Sequence, residues 1–321
     1  MGTRLQQPCS AWRNYLLSQD VVDKLVNVNP NPKKAEPAVF SFSDYSAGAQ
    51  EKLHVGTLEE GLQLRQNRQR PHRHDFYQVF WMKRGAPSFT IDFDHLPIEA
   101  HALVFVPPGA VHTFGTQNPV AGFILSFQED FLETEGHSVN LFQECPTLDP
   151  AQFRPILVVP ESSVERVDYY CKRIFEEFNS KQEGYRGATA ALLRLLFVEI
   201  RRCLPDHTAP SAFHKYSALT ARFLRSLSAR PYQLATASEV AKFLGVSRSW
   251  LNQLVRQETA KNLTEHLRGR LILESKRLLA HSDLNISEIA YQLGFDDASY
   301  FTRLFRQVEG SSPREFRERY R

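Results

Sequence analysis

Two stretches decide how this chain folds: TASEVAKFLGV (Thr236–Val246) and NISEIAYQLGF (Asn285–Phe295), the second repeating the first. Each opens with a capping-box pattern, Thr236 or Asn285 at the cap and Glu239 or Glu288 three residues on. Val240, Ala241 and Leu244, or Ile289, Ala290 and Leu293, then share one helical face, with the small alanine letting a second helix pack close. Gly245 or Gly294 follows, where the helix must end in a left-handed turn. A new cap, Ser247 in the first copy and Asp296 or Asp297 in the second, opens another amphipathic helix. Helix, glycine turn, helix is the helix-turn-helix plan, and matched caps, alanine and glycine in two copies set an unrelated bundle aside. Between the copies, Leu263 to His281 reads as one long helix. Such a connector would hold two recognition helices rigidly enough to enter successive major grooves, about 34 Å apart on one face of B-DNA.

Charge agrees. From Ser211 to the end the chain carries 18 Lys and Arg against 11 Asp and Glu, +7 net. The remainder carries 21 against 25, so −4. A basic third behind an acidic body points to a polyanionic partner at that end.

The stretch from Ile286 to Arg317, ISEIAYQLGFDDASYFTRLFRQVEGSSPREFR, resembles the signature of the AraC/XylS family of transcription regulators. The resemblance covers about Tyr216–Arg321 and implies seven helices with two helix-turn-helix units. In the first recognition helix the expected DNA-facing residues are Arg248, Ser249, Asn252, Gln253 and Arg256, with Trp250, Leu251, Leu254 and Val255 in the core. Asn and Gln suit adenine edges, and Arg suits guanine or phosphate. In the second, Ala298, Ser299, Thr302 and Arg303 occupy the equivalent places, so that copy is expected to contribute mainly phosphate contacts.

Ahead of this region the texture is different. Met1 to Glu36 reads as an arm. Ala38 to about Leu132 alternates short β-prone runs (AVFSF, FYQVFWM, PSFTIDF, ALVFVPP, AGFILSF) with Gly and Pro turns, which suggests a small β-barrel or jelly roll. Pro71-His-Arg-His-Asp-Phe-Tyr-Gln78 and Pro107-Pro-Gly-Ala-Val-His112 resemble the two cupin motifs, with Gln78 where metal-binding cupins carry Glu. His72, His74, Phe76, Gln78 and Phe80 share strand parity and should line one face. Three readings stay open for His72, His74 and His112: a metal site, effector-pocket lining and purely structural histidines. The residues expected to contact an effector are His72, His74, Gln78, Phe80, His112 and Phe114, with no metal and no cofactor. Phe76 and Trp81 are further pocket aromatics, and Arg70 or Arg73 a possible cation; an aromatic acid and a sugar suit such a pocket equally. Asp92 and Asp94 read as a polar strand end, not an acid/base pair.

Val164, Val167, Cys171, Ile174, Phe175 and Phe178 fall on one helical stripe, and Leu192, Leu195, Leu196 and Glu199 on a second helix. This hairpin occupies the place of the family's dimerisation helices. Val167, Ile174, Phe178, Leu192 and Leu196 are therefore expected either against a twin, making a homodimer, or against the chain's own barrel.

The fold class is thus α+β: a cupin-like barrel over 37–160, a helical hairpin over 161–204, a linker over 205–215 and an all-α double helix-turn-helix domain over 216–321, behind an arm over 1–36. The four cysteines lack CxxC spacing, and no signal peptide or membrane span is evident, so the chain reads as cytoplasmic with reduced thiols. The resemblance implies a non-enzymatic, effector-controlled regulator, more often an activator, with duplex DNA, a small-molecule effector and RNA polymerase as partners. The rival is a metal-dependent cupin enzyme with an appended DNA-binding module.

Overall fold

Strand β4 (Tyr77–Arg84) is buried at every residue from Tyr77 to Met82, which an alternating strand manages only when both faces are covered. Its even residues Phe80 and Met82 enter one apolar cluster with Phe89, Ile91, Val104, Val106, Phe114 and Ile124. Its odd residues Tyr77, Val79 and Trp81 enter another with Leu103, Phe105, Leu125 and Phe127. Two apolar layers, one inside a barrel and one outside it, follow from that period of two.

The computed structural model describes residues 37–44, 52–63, 70–115, 119–132, 141–149, 153–204, 217–229 and 236–320. The expected arm and linker lie outside these. Besides β4, the strands are β1 (Ala38–Phe40), β2 (Leu53–Thr57), β3 (His72–His74), β5 (Ser88–Ile91), β6 (Asp94–Pro97), β7 (Ala102–Val106), β8 (His112–Gly115), β9 (Ala121–Phe127) and β10 (Ile156–Val158). They form two five-stranded sheets, β1-β3-β8-β5-β6 and β10-β7-β4-β9-β2. All pairs are antiparallel except β1 with β3. The register between β4 and β9 shifts after Met82, opposite Gly122. There a Cβ would lie 1.8 Å from the Trp81 carbonyl oxygen, so only glycine fits.

Short helices α1 (Leu58–Gln63) and α2 (Leu141–Glu144) precede the hairpin of α3 (Glu161–Ser180) and α4 (Tyr185–Arg202). Val167, Cys171, Ile174, Phe178, Leu193, Leu196, Phe197 and Ile200 pack with the odd layer of β4. The stripe offered to a twin is therefore consumed by the chain's own barrel, which corrects that half of the expectation. Trp81 follows it, donating from Nε1 to Asp168 Oδ1 on α3 at 3.0 Å. Cys145, Cys171 and Cys203 are buried free thiols, and burial pushes Cys145 up to about 12. No helix among the described residues is long and apolar enough to cross a membrane.

Seven helices fill the C-terminal part of the described residues: α5 (Ala218–Ala229), α6 (Ala237–Leu244), α7 (Arg248–Thr259), α8 (Leu263–His281), α9 (Ile286–Gln292), α10 (Ala298–Glu309) and α11 (Pro313–Tyr320). Both capping boxes form, at Thr236 and at Asn285, and a third forms at Asn262 with Glu265. Gly245 takes φ 74° and Gly294 φ 86°, the left-handed turn each unit requires. The long helix α8 serves two cores. Leu263 packs with α6 and α7, whereas Leu271, Ile272, Leu278 and Leu279 pack with α9, α10 and α11.

Candidate nucleic-acid interface and effector pocket

Helix α7 starts on Ser247, whose hydroxyl accepts from the Trp250 N–H, and buries Leu251 and Val255. Those two positions fix which face is inward, so Arg248, Ser249, Gln253 and Arg256 are exposed. Trp250 is 51% exposed, not core as expected, because it lies one residue off the buried line. Leu254 is only partly buried. Asn252 is also turned partly inward, and its Oδ1 accepts from the Leu263 N–H at 3.2 Å, closing the first turn of α8. Its position serves the junction of the two helices and is not a freely presented base-reading amide.

Helix α10 starts on Asp297, which accepts from the N–H groups of Ser299 and Tyr300. These bonds hold its carboxyl below the usual carboxylate range. The cap makes Arg248 equivalent to Ala298, Trp250 to Tyr300, Gln253 to Arg303 and Arg256 to Arg306. Tyr300 is 49% exposed and matches Trp250 in place and in character. Ser299 and Arg303 are exposed, with Arg303 Nη2 3.8 Å from Asp297 Oδ2. Thr302 is half-buried and returns its hydroxyl to the Ala298 carbonyl at 2.9 Å. Arg306 and Gln307, absent from the sequence-derived set, are exposed one turn further on. Arg306 was findable by carrying the same spacing one turn further, since it stands where Arg256 stands in the first copy. A cleft of about 260 Å³ separates the units, with Thr236, Ser238 and Arg248 on one wall, Tyr300 on the other and Arg268 of α8 at its side.

In the barrel, β3 and β8 bring His72 opposite His112, ring centroids 4.3 Å apart. His74 lies 4.9 Å from His112 and stacks on Phe76 at 4.1 Å. Gln78 bridges inward: its Oε1 is 3.1 Å from His74 Nε2, and its Nε2 donates to Ser126 Oγ at 3.0 Å. His72 Nδ1 and His112 Nδ1 face the Arg70 and Ala110 carbonyls, which assigns Nδ1–H to both. The His74 contact with the amide oxygen assigns Nε2–H to that ring. Phe80 stacks with Phe114 at 5.6 Å beyond this polar cluster. The six expected pocket residues therefore meet inside one barrel. Trp81 and Arg73 do not join them: Trp81 faces α3, and Arg73 leaves the barrel for Glu274 of α8 at 2.6 Å. Among the described residues no group of three or more His, Cys, Asp or Glu is arranged to hold a metal ion.

Residues 240–319 match the model of a helix-turn-helix domain, and 59–197 that of an AraC-like ligand binding domain. The HTH-type transcriptional activator RhaR of Yersinia pseudotuberculosis serotype O:3 is 34% identical over 262 residues, 78% of this chain and 84% of that protein. The chain belongs to the AraC/XylS family. RhaS of Escherichia fergusonii, also an HTH-type transcriptional activator, is 21% identical over 77% of this chain and 87% of its own length. The C-terminal domain of AraT, a response regulator from Geobacillus stearothermophilus, matches with TM-score 0.31 and 28% identity over 32% of this chain and 87% of that domain. As an AraC/XylS regulator the chain is a DNA-binding protein with a ligand-binding domain, and its relatives are regulators, not enzymes, which decides against the metal-dependent cupin enzyme.

Proposed function

We propose that this AraC/XylS member is a cytoplasmic activator that binds duplex DNA through α7 and α10, responds to an aromatic acid or a sugar held in the barrel, and works with RNA polymerase. The observation that carries it is the paired exposed set: Arg248, Ser249, Gln253 and Arg256 on one recognition helix, Ser299, Arg303 and Arg306 on the other. Arginine and glutamine in that setting reach guanine and adenine edges or phosphates. His72, His74, Gln78 and His112 form the polar wall of the effector pocket and Phe80 with Phe114 its apolar wall. Activation is carried over from RhaR and RhaS, both named transcriptional activators. With the original stripe buried, homodimerisation falls to exposed parts of the hairpin, Leu195 with Ala188 and Ala191 at helical spacing on α4, and Tyr169 on α3.

The test is selection of duplexes from a random library with the full chain, followed by methylation interference on the winner. Two protected major-groove segments about 34 Å apart on one face are expected. Enrichment no better than a non-binding control overturns the reading.

A further inference from the structure

Helix α8 carries both helix-turn-helix units, and one of its faces is held by the barrel. Glu274 and Arg277, 1% and 3% exposed, lie on that face with Arg270 one turn before and His281 one turn after. Arg73 of β3 donates from Nη1 to Glu274 Oε1 at 2.6 Å. Arg277 donates from Nη1 to Glu274 Oε2 at 3.2 Å. Its Nε and Nη2 grip both oxygens of Asp92, in the turn from β5 to β6, at 2.6 and 2.8 Å. Beside Asp92, Phe93 meets Phe316 and Tyr320 of α11 edge-on at 5.3 and 5.1 Å, and Lys276 Nζ lies 4.9 Å from the Phe93 ring centroid. Asp92 is thus the centre of a contact surface, more than the polar strand end its sequence suggested.

The two charged barrel residues of this seam are tied to the strands that carry the histidines. Arg73 stands between His72 and His74, so the alternation that turns the two imidazoles inward turns the guanidinium outward to α8. Asp92 donates its N–H to the Val111 carbonyl at 2.6 Å and accepts from the Val111 N–H at 3.2 Å, one residue before His112. A shift of β3 or β8 that accommodates a molecule against the histidines must move Arg73 or Asp92 with it.

The seam is also poorly balanced. Among the described residues Arg73 and Arg277 share Glu274, and Arg277 also takes Asp92. Arg270 Nε and Nη2 are shielded from solvent with no hydrogen-bond partner among the described residues, and burial together with Arg277 pushes this guanidinium down to about 10. A permanent domain contact is better served by apolar packing, whereas a buried polar seam with an unsatisfied guanidinium lies close in energy to its hydrated, open form.

We propose that the Arg73–Glu274–Arg277–Asp92 seam is an autoinhibitory clamp, by which the barrel restrains α8 and its two recognition helices until pocket occupancy displaces β3 and β8. This rests on the DNA-binding and effector reading above. Release lets the two units reorient along the groove. The ligand acts by favouring the state in which β3 and β8 have let go.

The experiment uses the full chain and a duplex selected from a random library by the wild-type protein. Arg73→Met and Asp92→Asn change residues of the barrel, outside both recognition helices. Each is expected to tighten binding about fivefold or more, and the double variant by less than the product of the two, because either alone opens the seam. Glu274→Gln removes the carboxylate that Arg73 and Arg277 share and should tighten binding as well. Hydrogen exchange of α8 amides from Leu271 to Leu279 should quicken in all three. By reciprocity, adding the duplex to wild type should alter exchange in β3 and β8, and this response should vanish in Glu274→Gln. Wild-type binding that is unchanged or weakened in folded variants, or α8 exchange that stays as in wild type, overturns the clamp. Failure of the wild type itself to bind any selected duplex would instead overturn the DNA-binding reading.

Discussion

Asn252 and Gln253 are adjacent on α7, yet one turn of the helix gives them different partners. The Asn252 carboxamide accepts from the Leu263 N–H, one of the donors that the first turn of any helix leaves unpaired. Gln253 is exposed. Asn252→Ala should therefore cost about 1 kcal/mol of folding stability and weaken binding to selected and random duplexes alike. Gln253→Ala should leave stability unchanged and cost about 1–3 kcal/mol on the selected duplex only. Thermal unfolding and competition binding separate the two, and equal discrimination by both variants would refute the division. Trp250 carries a related lesson. An aromatic side chain beside a buried Leu251 invites a core assignment, but a 100° step around the helix is enough to expose it, and Tyr300 repeats the placement in the second unit.

Among the elements, the α3–α4 hairpin is fastened at its base by Glu199. This carboxylate is buried on α4 and takes Arg166 Nε from α3 at 2.9 Å and Arg202 from its own last turn. Burial alone would raise it, but the two guanidiniums outweigh burial and hold it below the usual carboxylate range. A folded pKa lower than the unfolded one contributes stability above about pH 4.3, lost as pH falls through the folded value. Urea unfolding of wild type and Glu199→Gln should differ at pH 7, and the gap should close as pH falls below the unfolded value and through the folded one; a gap independent of pH would exclude this linkage. The helix-turn-helix units were legible because their punctuation is local: Thr236, Gly245, Asn285 and Gly294 each act within a turn or two of their own position. The barrel strands were legible for the same reason, through a period of two. The hairpin stripe was legible as buried but not as buried by what, since an apolar face on Val167 and Ile174 fits a twin and a barrel equally until the sheet is present. The seam on α8 left no local signal at all. Arg73 and Glu274 are 201 residues apart; Arg73 reads from its place between the histidines as a possible pocket cation, and Glu274 as one more charge on a helix.

At the scale of the whole molecule, charge is divided so that the basic end meets DNA. The exposed cations on α7, α8 and α10 are Arg248, Arg256, Arg268, Arg303 and Arg306. Each phosphate neutralised releases condensed counterions and adds about −0.9 to the slope of log affinity against log salt. Five such contacts give a slope of about −4.5, so raising salt from about 50 to 200 mM should weaken binding several hundredfold. Arg256 and Arg306 are equivalent in the two units, exposed and outside both cores, so replacing both with Ala removes charge without disturbing packing. The slope should then fall to about −2.7, and the same change in salt should cost only some fortyfold. Fluorescence anisotropy over a salt series measures both numbers on the same duplex. A variant whose affinity drops while its slope stays that of wild type would mean that these arginines contact bases and not phosphates. A slope already near zero in the wild type would remove the backbone from the interface altogether.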